Sequence, residues 1–243
     1  MTSVGQPIRQ LRIGETLKAV RTKQAAMTND PLQLYLRNTP DADTSYFHQA
    51  WSTYSAAEFS LAIHKGLAWT VGDSFAVMIY EPADEAKGIV GKLVGRILSL
   101  YGSYFTPQVI SEIQRRRRRE CLSKFEKMVE ETLGEKKKSM YYLALLMTRP
   151  EQQGRGYGSA LVKLMTAFAD THGRESWLLS SNIKNTAFYN SLGFITKAQV
   201  AVGDQDPDWT GPPVVVSLMI REIPESKAQL GSTQIIPPEG TPK

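Results

Sequence analysis

The 243-residue chain contains one cysteine, Cys121, so no disulfide can close within it. A disulfide-stapled scaffold is thereby excluded, and a reducing compartment fits. Histidine is scarce too. His48, His64 and His172 fall on separate segments without metal-ligand spacing, so no metal site is expected. No stretch reaches the ~20 apolar residues that a membrane-spanning helix needs. Residues 1–7 are polar and lack the apolar core of a secretory signal. No internal repeat is visible. These absences point to a soluble protein of the cytoplasm, with the nucleus left open, and to no membrane partner.

What is present describes an ordinary globular domain. Hydrophobic residues make up 42% and charged residues 22%, which leaves enough apolar side chain for a sizeable core. The length suits one domain with insertions better than two. Lys and Arg outnumber Asp and Glu by 29 to 24, a net charge of +5. That suits an anionic ligand, and by itself would suit nucleic acid equally. Much of the excess comes from the run Arg115, Arg116, Arg117, Arg118, Arg119. Consecutive arginines on a helix point all round it, so some must lay their stems on apolar surface. A solvated insertion helix is the preferred reading, ahead of a nuclear signal or an anion patch. Cys121 neighbours Glu120 and these arginines, but no histidine stands near it in sequence, and it is read as structural.

Periodicity places the elements. Residues 8–13 alternate as a short strand. Residues 15–27 carry Leu17, Val20 and Ala25 at helical spacing, and Asp30-Pro31 interrupts that helix. Residues 32–36 form a short second helix, and 45–63 a longer one bearing Phe47, Trp51, Tyr54 and Phe59. Strands follow at 67–71 and 75–80, joined by a tight turn at Gly72-Asp73. A helix is expected at 89–100. Another starts at Thr106-Pro107, a cap followed by proline at the first helical position, and runs to about residue 133. Residues 134–138 make a basic loop. A strand at 141–148 then leads to a loop opening into a helix over 154–172, with Leu161, Leu164, Met165 and Phe168 on one face and Gly173 as its stop. A strand at 177–179, a helix at 185–191, a strand at 194–202, an acidic loop at 203–213 and a strand at 214–221 follow. The segment 224–243 holds several prolines and few large apolar residues, and is read as disordered.

The stretch that carries chemistry is Pro150-Glu151-Gln152-Gln153-Gly154-Arg155-Gly156-Tyr157-Gly158-Ser159. A strand precedes it and an amphipathic helix follows. Glycines let backbone approach a ligand closely and adopt positive φ. The first turn of the helix leaves its amides unpaired, and those donors with the helix dipole favour an anion such as a pyrophosphate. Arg155 adds a charge-assisted contact. A P-loop and a Rossmann loop both fail, because each needs glycine where Ser159 stands. A glycine-rich strand-to-helix turn without ligand is the bland alternative.

Gln153, Gly156 and Gly158 meet the pattern Q/R-x-x-G-x-G/A, the acyl-CoA loop of the GNAT N-acetyltransferases. Asn182, Asn185, Tyr189 and Gly193-Phe194 resemble the second signature of that family, N-x(6)-Y-x(3)-G-F, at the family's distance from the first. Residues 142–146, Pro150 and the glycine loop resemble most the branch that includes puromycin N-acetyltransferase. Asn29-Asp30-Pro31 with Tyr35-Leu36 is similar as well. Thr148-Arg149 depart from the valine and acidic or polar residue usual in that branch, so the puromycin substrate does not transfer.

The resemblance implies an α/β (α+β) GNAT fold: a mixed sheet of about seven strands flanked by helices, as one domain over 1–223, with a helical insertion at 84–138 before the fourth strand. It implies acetyl-CoA as cosubstrate and direct attack of an amine on the thioester. Tyr189 would be the general acid that protonates the departing sulfur, with a packed aromatic as the bland reading. Leu146, Met147 and Thr148 would offer backbone to the pantetheine arm, and Gln153, Gly154, Arg155, Gly156, Tyr157, Gly158 and Ser159 would hold the pyrophosphate. Asn182 and Asn185 would contact CoA or simply cap a helix. Asp204, Asp206 and Asp208, with Trp209, would face the acceptor and attract a cation, or form a solvated loop. Phe47, Trp51 and Tyr54 are core or acceptor-site lining.

Three functions follow in order of preference. The first is acetylation of a small-molecule primary amine, with no nucleic-acid partner; a homodimer is compatible with it. The second is acetylation of a protein lysine or N-terminus, with the arginine helix as docking surface. The third is CoA binding without catalysis.

Overall fold

A computed structural model describes residues 5–42, 44–83 and 111–224, with the side chains of 44–50 set aside. Strands β1 (Ile8–Gln10), β2 (Ala68–Val71), β3 (Ala76–Glu81), β4 (Tyr141–Thr148), β5 (Ser176–Ser180), β6 (Ile195–Val202) and β7 (Val214–Arg221) form one sheet. Their order is β1-β2-β3-β4-β5-β7-β6. All neighbours are antiparallel except β4 and β5. The helices are α1 (Thr16–Ala26), α2 (Pro31–Arg37), α3 (Thr44–His64), α4 (Glu112–Leu133), α5 (Tyr157–Thr171) and α6 (Thr186–Asn190). The mixed seven-stranded sheet flanked by helices is the architecture expected from the sequence.

One face of the sheet is covered by α5. Its Leu161, Val162 and Met165 are fully buried against Met78, Leu143 and Met219. Burying each such side chain contributes about 1.5–3 kcal/mol. On the other face, Ala19 and Val20 of α1 and Phe59 of α3 cover Val77, Leu145 and Met147. The same face continues under α4, where Met128 and Leu133 pack on Trp177, Leu218 and Ile220. A smaller cluster joins Tyr35 of α2 to Cys121 of α4 and to Val202 and Val214. Cys121 is thus core, and burial pushes its thiol up to about 12. Leu17, one of the apolar positions expected on α1, points outward instead.

Local chemistry accounts for most boundaries. Asp30 caps α2 by accepting from the Gln33 amide at 3.0 Å, with Pro31 at the first helical position. Gly173, at φ +60°, ends α5. Three expectations need correction. The helix ending at Leu133 starts at Ser111, which is extended at ψ 167° and forms a capping box with Gln114. It does not run on from Thr106-Pro107; that pair, the helix at 89–100 and the tail beyond 224 lie outside the described residues. The β2–β3 connection is a four-residue turn over 72–75, not two residues. Phe75 folds its ring over Gly72, and the buried Ser74 carbonyl accepts from the Thr22 hydroxyl at 2.6 Å. Finally, the basic stretch after α4 winds into a 3-10 helix, Gly134–Ser139.

Candidate active site

The site begins with an irregularity in β4. Ile79 pairs with Leu145 but Tyr80 pairs with Leu143, so Ala144 is an extra, bulged residue. A bulge flips the alternation of side chains and increases local twist. Here Tyr141 and Leu143 face α5, whereas beyond the bulge Leu145 and Met147 face α1 and α3. Leu146 is thereby turned towards the α5 side. The bulge also marks the end of β4–β5 pairing, which covers only Tyr141–Leu143 against Ser176–Leu178. From Ala144 to Thr148 the edge of β4 facing β5 has no strand partner. Two parallel strands that part in this way leave a cleft with unpaired backbone on its wall.

The glycine loop closes the end of that cleft. Gly154 and Gly156 stand at φ +74° and +80°, which only glycine adopts without strain. A Cβ at either would meet nothing, so the loop faces open space. Gly156 is the N-cap of α5 and supplies no side-chain cap. Among the described residues, the amides of Tyr157, Gly158 and Ser159 find no acceptor. Arg155 is exposed. The Gln153 side chain folds back, donating to the Thr148 carbonyl at 3.3 Å. The Tyr157 ring packs inward on Phe75 with centroids 6.1 Å apart, so this residue offers only its amide. Met147 is likewise committed to the core by its side chain.

The two sequence signatures meet at Gly158. A Cβ placed there would lie 3.5 Å from the Phe188 ring, 3.6 Å from the Thr148 hydroxyl and 3.8 Å from Leu146. The first turn of α5 is thus packed against the cleft end of β4 and against α6. Tyr189, next to Phe188, is buried edge-on between Phe188 and Phe194, with centroids at 5.0 and 6.1 Å. No described residue hydrogen-bonds its hydroxyl. Burial first, and the negative charge of Asp30 second, raise its pKa above the ordinary phenol value. The phenol therefore stays protonated across neutral pH.

The remaining candidates divide. The Asn182 side chain accepts from the Lys184 amide at 3.0 Å and caps the short 3-10 turn before α6, which is the capping role. Asn185 is exposed and its side chain makes no cap bond. Arg149, at the departure from the family pattern, has a structural partner: its Nε donates to Thr22 on α1 at 2.8 Å. Trp51 lies between Lys23 and Arg37, 5.5 and 5.2 Å from its ring centroid, and Tyr54 is exposed. The side chain of Phe47 lies outside the description.

The acidic loop is not a free cation trap. Asp206 binds Arg117 at 2.5 Å and Arg116 at 2.6 Å; Asp208 binds Arg116 at 2.6 Å; Asp204 binds Lys124 at 2.6 Å. The carboxylates expected to face an acceptor are neutralised by α4. The arginine run divides: Arg117 is completely buried, whereas Arg116, Arg118 and Arg119 are exposed, as expected for a solvated helix. Sequence reasoning missed Asp30, whose second carboxylate oxygen accepts from the Ser181 hydroxyl at 2.7 Å, at the cleft end of β5. Its signal is the Asn29-Asp30-Pro31 run, which both interrupts the first helix and belongs to the family resemblance.

Residues 125–196, which span the cleft end of β4, the glycine loop and α6, match the family model described as acetyltransferase (GNAT) domain. Solved structures share the fold at low identity. A polyamine N-acetyltransferase of Drosophila melanogaster that forms N-acetylagmatine aligns with TM-score 0.58 and 14% identity, covering 90% of this chain and 100% of that one. Arylalkylamine N-acetyltransferase 2 of Aedes aegypti gives TM-score 0.58 and 12% identity over the same shares. A histone acetyltransferase HPA2-related acetyltransferase of Corynebacterium glutamicum gives 0.50 and 19%, covering 90% and 97%. No described helix is long and apolar enough to cross a membrane. The comparisons thus give a match to the acetyltransferase (GNAT) domain over the stretch that builds the cleft, and a fold shared with solved acetyltransferases over most of the chain.

Proposed function

We propose that the protein is an acetyl-CoA-dependent N-acetyltransferase acting on a primary amine of a small molecule. The observation that carries this reading is the contact at Gly158, which sets uncapped amides of α5 against the segment bearing a protonated, buried phenol. The residues fit the coenzyme. The amides of Gly154 to Ser159 and the side chain of Arg155 would hold a pyrophosphate, and the unpaired edge of β4 at Leu146, Met147 and Thr148 would take an amide-bearing arm. Asn185 is free to contact the same ligand; Asn182 is spent on its cap.

Acetyl-CoA supplies an activated acetyl thioester. The chain's part is to orient the coenzyme and to manage one proton at each end. Tyr189 holds its proton at neutral pH and can give it from Oη to the leaving sulfur. At the acceptor end only about one alkylamine in a thousand is neutral at pH 7, so a proton must be removed. Asp30, whose carboxylate accepts from Ser181 just before the turn that leads into α6, would be the group that takes it. The resemblance to the puromycin N-acetyltransferase-like branch supports a small acceptor without fixing which. Protein docking by the arginine helix is weakened, because Arg116 and Arg117 are already paired within the chain.

The test is release of free thiol from acetyl-CoA with agmatine, 2-phenylethylamine or a lysine-bearing peptide. Turnover with the small amines supports the reading. Turnover with the peptide alone would move the protein to the protein acetyltransferases, and binding without any turnover would end the enzymatic reading.

A further inference from the structure

The N-terminal part of α4 holds a buried guanidinium, Arg117, that is no part of the glycine loop. Arg117 donates to Asp206 at 2.5 Å, to the Tyr35 carbonyl at 2.6 Å, to the Asn38 carbonyl at 2.9 Å and to the Asp208 carbonyl at 2.8 Å. Its plane lies over the Tyr35 and Trp209 rings, at 4.7 and 5.3 Å. Two of these partners, Tyr35 and Asn38, belong to the C-terminal end of α2; two belong to the β6–β7 loop. Neighbouring bonds reinforce the grip. Gln114 donates to the Arg37 carbonyl at 3.1 Å, and the Tyr35 hydroxyl donates to Glu120 at 2.5 Å.

At the opposite end of α2 stands Asp30, fixed to the Gln33 amide and to Ser181, the residue before the Asn182-capped turn that leads directly into α6 and Tyr189. A seven-residue helix is about two turns long and rigid when both ends are tied. Four of its five N–H groups are answered and two rings cover its plane, far more than solubilising a surface helix needs, as burying a guanidinium requires.

We infer that Arg117 is a positioning residue: through α2 it sets where the Asp30–Ser181 corner stands relative to Tyr189, and so fixes the acceptor end of the cleft. This rests on the acetyl-transfer reading. It also gives the acidic loop a different task from cation capture, since Asp206 serves the clamp and not the acceptor.

The full chain is compared with Arg117→Met and Asp206→Asn, using acetyl-CoA with agmatine and 2-phenylethylamine. Asp206→Asn keeps the guanidinium and its three carbonyl acceptors, so it stays readable if Arg117→Met does not fold. The acceptor KM should rise about tenfold or more in Arg117→Met and less in Asp206→Asn, while the acetyl-CoA Kd stays within about twofold. Amide exchange should quicken at Gln33 and Leu34, beside Asp30, and stay unchanged in the core of α5. An unchanged acceptor KM despite faster exchange in α2 would make the clamp purely structural and overturn the proposal. Unchanged exchange at Gln33, or loss of coenzyme affinity in step with the acceptor KM, would overturn it as well. A parent protein that binds acetyl-CoA yet turns over neither amine defeats the functional reading instead, and exchange at Gln33 then decides the clamp.

Discussion

Two polar loops looked alike as ligand sites in the sequence, and the fold treats them oppositely. The glycine loop at 153–159 keeps its donors: the amides at the start of α5 are uncapped and Arg155 points to solvent. The acidic loop between β6 and β7 spends its acceptors, because Asp204, Asp206 and Asp208 are each paired with Lys124, Arg116 or Arg117 of α4. A charge density that reads as a trap in one dimension is a closed ion network in three. What distinguishes a site is hydrogen-bonding capacity left unanswered in a place the chain holds rigid.

The comparison breaks first at Arg117. Removing one partner of a buried pair leaves the other uncompensated, so Arg117→Met should lower stability by about 3–5 kcal/mol, read by denaturant unfolding. A smaller loss than 1 kcal/mol would mean the network is not the structural element described. Next, Tyr189→Phe keeps the ring packed between Phe188 and Phe194 and removes only the proton. It should lower kcat about a hundredfold with little change in the acetyl-CoA KM. Because the phenol pKa is raised, kcat should show no falling limb from loss of this proton below pH ~10. On the open loop, Arg155→Ala should weaken acetyl-CoA binding about tenfold in calorimetry.

Acid should separate the two loops. Burial alone would raise the Asp206 pKa, but bonds from Arg117, the Asp208 amide and Arg116 outweigh it and hold it below the usual carboxylate value. A depressed carboxylate contributes stability above its unfolded value and loses it as pH falls through the folded one. The clamp should therefore weaken below pH ~4, and Asp206→Asn should abolish that part of the pH dependence. The smallest effect is expected at Asp204→Asn and Asp208→Asn, whose pairs are at the surface. Neither should shift the denaturant midpoint measurably or move the acceptor KM.

The sequence was legible where local chemistry is self-sufficient. Alternation and turn residues place β4 to β7, the Asp30-Pro31 pair marks the start of α2, and Gly173 marks the end of α5. The glycine loop was legible because positive φ and uncapped amides are properties of the segment itself. Less was legible where a residue has two competent uses. Asn182 had equal claim to a ligand and to a cap, and only the Lys184 amide at 3.0 Å shows which use the chain makes of it. Tyr157 lies within the ligand loop in sequence, yet its ring belongs to the core.

By itself, then, the order of residues determined the individual strands, the uncapped helix start and the phenol that follows it, because each depends on neighbours a few positions away. Tertiary structure alone decided the bulge at Ala144 that ends the β4–β5 pairing, the burial of Arg117 and the closing of the acidic loop. These depend on partners tens of residues distant. A charge or a strand edge carries no mark in its own sequence of whether a distant segment will arrive to satisfy it.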